Sequence, residues 1–229
     1  MKKFFIATAL LILFAAQICY AAPQSLDRAT ANSRARQLFE INSAEGVWHS
    51  VYIVGENEKL LHDWIWAPGD RIWTGNYFAY VGQKNSSTFA LQNVELFGSY
   101  GHVGDVYQRI NVTRSNRDGF IRVKGVRGLP DLLVSKIQVT GGGYFEMKVF
   151  AVKNGHLQLV RFLDDDKKTL HDTFNTVGSP TTYLDNGTLA VPWHTNAMPG
   201  AGSYETVYMF DVENLILIPA YTNRLSSPR

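Results

Sequence analysis

Trp64 and Trp66 stand two positions apart, and Trp73 follows shortly after. On a strand that spacing turns the first two indoles to one face. Aromatic surfaces so placed take sugars or peptides by stacking, with Asp63, Asp70 and Arg71 close in sequence to supply polar contacts. His102 lies between Gly101 and Gly104, and Trp193-His194 precedes the glycine-rich stretch Pro199-Gly200-Ala201-Gly202. Both read as contact residues carried on loops, where binding groups concentrate. Trp64, Trp66, Trp73, His102, Trp193 and His194 are therefore the candidate ligand-binding residues. The competing use of every such ring is to fill a sheet core, because tryptophan buries a large apolar area.

Catalytic patterns are absent. The six histidines, at 49, 62, 102, 156, 171 and 194, include no pair at i, i+2 or i, i+4, so no local zinc pair forms. His62-Asp63 and His171-Asp172 are sequence neighbours, which on a strand point to opposite faces. No serine sits in Gly-x-Ser-x-Gly. Gly141-Gly142-Gly143 lacks the Lys-Ser/Thr of a phosphate loop and reads as a turn or bulge. Asp164-Asp165-Asp166-Lys167-Lys168 could offer oxygen ligands to a hard cation, but adjacent aspartates diverge and two lysines balance them. A solvated turn is the expectation. No catalytic residue, metal ligand or cofactor is assigned. A pair of acids for glycoside hydrolysis is a spatial property that sequence does not display.

The elements that must hold these residues are strands. From Gly46 onward, short runs of Val, Ile, Tyr, Phe and Trp alternate with Gly, Asn and Asp, and aromatic residues make up 13% of the chain. Turns are expected at Gly55-Glu56-Asn57, Lys153-Asn154-Gly155 and Asp185-Asn186-Gly187. Tyr144 to Val152 alternates between Tyr, Glu and Lys on one face and Phe, Met and Val on the other, which predicts one wet and one dry side. Residues 22–44 differ: Ser25 to Glu40 has no Gly or Pro and predicts one short helix, with Ser25 as N-cap. The fold class that follows is all-β and antiparallel, propeller-like or sandwich-like, with one short N-terminal helix. Segment 45–222 reads as a single domain and 223–229 as a polar tail.

Two strand-turn-strand blocks are alike. Gly143-Tyr144-Phe145-Glu146 leads to Phe150-Ala151-Val152-Lys153-Asn154, and Gly202-Ser203-Tyr204-Glu205 leads to Phe210-Asp211-Val212-Glu213-Asn214. The match slips by one residue and so demands a bulge. Gly128-Leu129-Pro130-Asp131-Leu132-Leu133-Val134, with Gly141-Gly142-Gly143-Tyr144 and Val149 to Leu157, resembles a degenerate blade of the FG-GAP type. That resemblance covers about residues 128–160 and implies an extracytoplasmic propeller-type module that binds partners without catalysis. The family's calcium loop has no counterpart, since Gly125-Val126-Arg127 stands in its place. Gly46-Val47-Trp48 after Phe39 is similar to the Gly-x-Trp signature of lipocalin-like barrels, which implies a small-ligand carrier with Trp48 across the barrel floor.

The first 21 residues set the expected compartment. Lys2-Lys3, the apolar run Phe4 to Ala16 and a small-residue end, with Cys19 and Ala21 at −3 and −1, predict a signal peptide over 1–21. The apolar run is shorter than the roughly 20 residues a membrane helix needs, so no span is expected once the leader is removed. Cys19, the one cysteine, leaves with it, which excludes disulfides; Ala16-Gln17-Ile18 ahead of it fits lipidation poorly. Lys2 and Lys3 account for the formal charge of +2, and 20 basic residues then face 20 acidic ones. A neutral chain has no electrostatic case for nucleic acid. The sequence thus predicts a periplasmic or secreted bacterial protein: a non-catalytic binding or assembly module for a protein or saccharide, with an envelope-polymer hydrolase and a carrier as alternatives.

Overall fold

The computed structural model describes residues 22–61, 71–97, 108–112, 119–138, 144–177, 181–195 and 201–226. The predicted leader, His62, Trp64, Trp66, His102 and Gly141-Gly142-Gly143 lie outside them. The fold is all-β with one short helix. A strand β1 (Ser25–Asp27) enters α1 (Arg28–Arg34), followed by β2 (Ala35–Asn42), β3 (Trp48–Leu61), β4 (Arg71–Gln83), β5 (Thr88–Leu91) and β6 (Gln108–Val112). These strands form one antiparallel sheet in the order β1-β5-β4-β3-β2, with β6 also on β4.

The helix is shorter than the sequence predicts. Asp27, not Ser25, is its N-cap, accepting from Thr30 N at 2.8 Å. Its one fully buried residue, Ala31, sits on Tyr52, Val54, Tyr80 and Phe89. From Ala35 the chain is strand, because Phe39 and Ile41 alternate into a core while Leu38 turns out to solvent. Gly55-Glu56-Asn57 is likewise no turn. It is an irregularity inside the long strand β3, where the register with β4 shifts between Glu56 and Lys59 and Asn57 takes φ +54°.

The second sheet holds β7 (Phe120–Val123), β8 (Leu132–Gln138), β9 (Tyr144–Lys153), β10 (His156–Leu163), β11 (Leu170–His171), β12 (Phe174–Val177), β13 (Thr182–Tyr183), β14 (Leu189–Thr195), β15 (Gly202–Asp211) and β16 (Ile216–Arg224). It comprises two antiparallel leaves, β7-β8-β9-β10 and β13-β14-β15-β16. A short parallel ladder joins them: Arg161 and Phe162 of β10 face Ile216 and Leu217 of β16. The hairpin β9–β10 turns at Asn154 and Gly155, both at positive φ. The matching hairpin β15–β16 carries a register shift between Val207 and Tyr208, but the extra residue, Ala220, is on β16, whereas the one-residue slip calls for one in β15.

The sheet curls so that its leaves pack on each other. Leu132, Val134, Met147 and Val149 of the first leaf meet Leu189, Val191, Tyr208 and Leu217 of the second. The opposite face of the first leaf, with Phe120, Leu133, Phe150 and Val152, meets Ile41, Val51, Ile53 and Tyr77 of the first sheet. Strands β8 and β9 are therefore covered on both faces. The wet side predicted for Tyr144 to Val152 is instead interior at Lys148, which donates to Glu95 Oε2 at 2.8 Å and to the carbonyls of Glu95 and Phe97. No helix among the described residues is long and apolar enough to cross a membrane.

Candidate functional site: an aromatic cleft with an acidic rim

A cavity of about 290 Å³ lies in the second sheet, lined by the end of β10 and the turn after it, the start of β12, Trp193 of β14 and the middle of β15. Its walls are rings. Phe162 lies 5.3 Å from Phe174 and 5.7 Å from Tyr208, and Phe174 lies 5.8 Å from Tyr208. Both contacts to Tyr208 are edge-on, the geometry that places the positive edge of one ring against the face of the next. Phe162 and Tyr208 are buried at the back; Phe174 and Trp193 are partly exposed.

Trp193 is held on two sides. Its ring stacks on Tyr204, directly opposite on β15, at 4.6 Å and 18°. Its Nε1 donates to Thr206 Oγ1 at 2.9 Å, and that hydroxyl also pairs with Thr222 Oγ1. An indole with its N–H satisfied and one face covered offers the rest of its π surface to the cavity.

The rim is acidic. Asp164 and Asp165 follow β10, and His171 lies on β11. The aspartates start the predicted solvated turn. Asp164 accepts from the amides of Lys168 and Thr169, and Lys167 takes φ +58°. A hydrogen bond with the Asp166 carboxyl, aided by those amides, holds Asp164 well below the usual carboxylate range, while the same bond raises Asp166. His171 Nε2 lies 3.6 Å from Asp164 Oδ2. Burial and the nearby Asp165 raise the phenol of Tyr208, which stays protonated. Among the described residues, no three His, Cys, Asp or Glu side chains group as a metal site.

Of the candidate ligand-binding residues that are described, Trp193 lines this cleft, joined by Asp164 and Asp165 of the expected solvated turn and by His171. His194 is the strand neighbour of Trp193 in β14, not part of a loop, so it points to the other face and meets Ser203 Oγ at 3.1 Å. Trp73 lies in β4 of the first sheet, opposite Leu60 and Ile110, whereas the cleft is built by strands of the second sheet. Trp48 is 43% exposed, with the Arg122 guanidinium 5.2 Å and the Lys84 ammonium 5.8 Å from its ring centre. His49 is buried, with Nδ1 3.0 Å from the Val47 carbonyl. Phe162 and Tyr208 read in sequence as ordinary strand residues and Phe174 lies in no expected strand; the three become a site only when β10, β12 and β15 converge.

The architecture defines an all-β protein with a small aromatic cleft. Comparison with protein-family models, curated proteins and solved structures finds no match for this chain.

Proposed function

We propose that the protein is an exported, bacterial periplasmic or secreted binding module, and that the cleft beneath Trp193 receives its ligand. The supporting observation is the wall of Phe174 and Trp193 over a back of Phe162 and Tyr208, with carboxylates at the mouth. Ligand sites are mostly apolar concavities with a few polar groups that fix orientation, and this cleft has that make-up. Export rests on the leader-like residues 1–21. The two alike hairpins, β9–β10 and β15–β16, are in keeping with the propeller-type resemblance. A carrier reading calls for an apolar cavity under Trp48, and that ring stands at the surface between two cations.

A second reading follows from Asp164 and His171, an acid and an imidazole within 3.6 Å in one cleft: hydrolysis of an envelope polymer. It is the weaker reading because Asp164 already accepts two main-chain amides. The decisive experiment combines two measurements. Mass spectrometry of the native protein recovered from the envelope should find the chain starting at Ala22. Titration with envelope saccharides and peptides, followed by the Trp193 indole N–H resonance, should give saturable shifts without turnover. An intact Met1 on cytoplasmic material overturns export. Ligand cleavage that is lost in His171→Ala establishes the hydrolase instead.

A further inference from the structure

We infer that the cleft is a receptor for a small alkylammonium group, seated against the rings of Phe174 and Trp193 and balanced by Asp164 and Asp165. The inference rests on the binding reading above and names the chemistry of its ligand.

Three observations carry it. First, four aromatic residues line one concavity. Ring faces attract a cation positioned within about 6 Å of the centroid, tryptophan most strongly, and groups of such rings hold quaternary ammonium ions. Second, the lining is electrically one-sided. Two aspartates line it, and His171 is the single basic side chain among the lining residues, already beside Asp164. Arg161, on the same strand as Phe162, is drawn instead to Asp172 at 3.5 Å. Third, the size suits a headgroup. At about 290 Å³ the cavity lies at the small end of ligand sites, which span about 300–1,000 Å³. An oligosaccharide would overfill it, whereas a branched ammonium with a short tail would not.

The test uses the protein without its leader and three probes: choline, its neutral isostere 3,3-dimethylbutanol, and chitotriose. Binding is read from the Trp193 indole N–H resonance. Choline should bind at least about tenfold tighter than the isostere, as a cation–π and carboxylate site requires. Asp165→Asn should cut choline affinity at least fivefold and leave the isostere unchanged; Asp165 is exposed, so the fold survives. Raising salt should weaken choline alone. Equal binding of choline and the isostere overturns the inference. Binding of chitotriose without choline also overturns it, yet leaves the binding reading standing. No response to any probe overturns the inference, and the binding reading falls with it only if the saccharide and peptide titration above is silent too.

Discussion

The Asp131 carboxylate, almost fully buried, grips Arg122 with two bonds, Nε at 3.0 Å and Nη2 at 2.7 Å. The same carboxylate accepts from Asn42 N at 2.9 Å and Gly125 N at 2.7 Å. Asn42 ends β2, an edge strand of the first sheet, and Asp131 opens β8 in the second. One side chain therefore fastens two layers. Asp131→Ala strands two amides and a guanidinium, and should cost about 3 kcal/mol, the low end for a broken buried pair because Arg122 keeps some solvent. The urea midpoint checks it. Loss below 1 kcal/mol means that the two sheets hold together without this fastening.

Lys148 and Glu95 form an unequal pair. The lysine is interior and the carboxylate is half in water. Glu95→Gln should cost less than about 1 kcal/mol, since the ammonium keeps two carbonyl acceptors and the lost charge was solvated. Lys148→Ala should cost about 2–4 kcal/mol through an unfilled interior volume. It should also raise the carboxyl of Glu146 further. Burial already lifts that group, and Lys148 is what restrains the rise. Carboxyl resonances followed through a pH titration would show the change.

Alkaline stability should pass through a maximum. Burial pulls the ammonium of Lys136 down to about 8, against about 10.4 in an unfolded chain. Between these values the unfolded chain binds more protons, so stability rises with pH. One such group sets a ceiling of about 1.4 kcal/mol per pH unit. Tyr77, Tyr80, Tyr183 and Tyr208 act oppositely. Burial raises each phenol, the unfolded chain loses its proton first, and stability falls above about pH 10. Urea midpoints should climb from pH 8 to 10 and then drop. Lys136→Met should flatten the climb and keep the drop.

The helix should fail first at Ala31. Its methyl has no exposed area and rests on Tyr52 and Phe89, which meet at 4.6 Å. Ala31→Leu should cost about 1–3 kcal/mol by overfilling that seat. Asp27→Ala should cost about 1 kcal/mol by removing the cap. Thermal melts of both variants, with far-ultraviolet dichroism, separate the two effects.

Most strands of the second sheet were legible because their turns carry positional chemistry; the short β11 and β12 were not. Asn154-Gly155 and Asn186-Gly187 supply the positive φ that tight connections need at Asn154, Gly155 and Gly187. The segment Ala35 to Asn42 was not legible. Its composition suits a helix, and only the demand that Phe39 and Ile41 reach one core makes it a strand. Lys148 misled for a related reason. A charged residue marks solvent unless a partner waits in the interior, and Glu95 is 53 positions away.

For the site, Trp193 and the acidic turn at Asp164 and Asp165 were readable signals, although nothing local joined them. Local alternation says that His194 must face away, a deduction available before any coordinates. The convergence of Phe162, Phe174 and Tyr208 depends on how β10, β12 and β15 meet. No local pattern encodes that meeting.

The parallel ladder of Arg161–Phe162 with Ile216–Leu217 has a temporal meaning. Its halves lie about 55 residues apart in sequence, so this closure waits until Ile216 and Leu217 have been synthesised. Contacts so remote in sequence are slow to form. Until then Phe162 lacks Tyr208 beside it, and the aromatic cleft is incomplete.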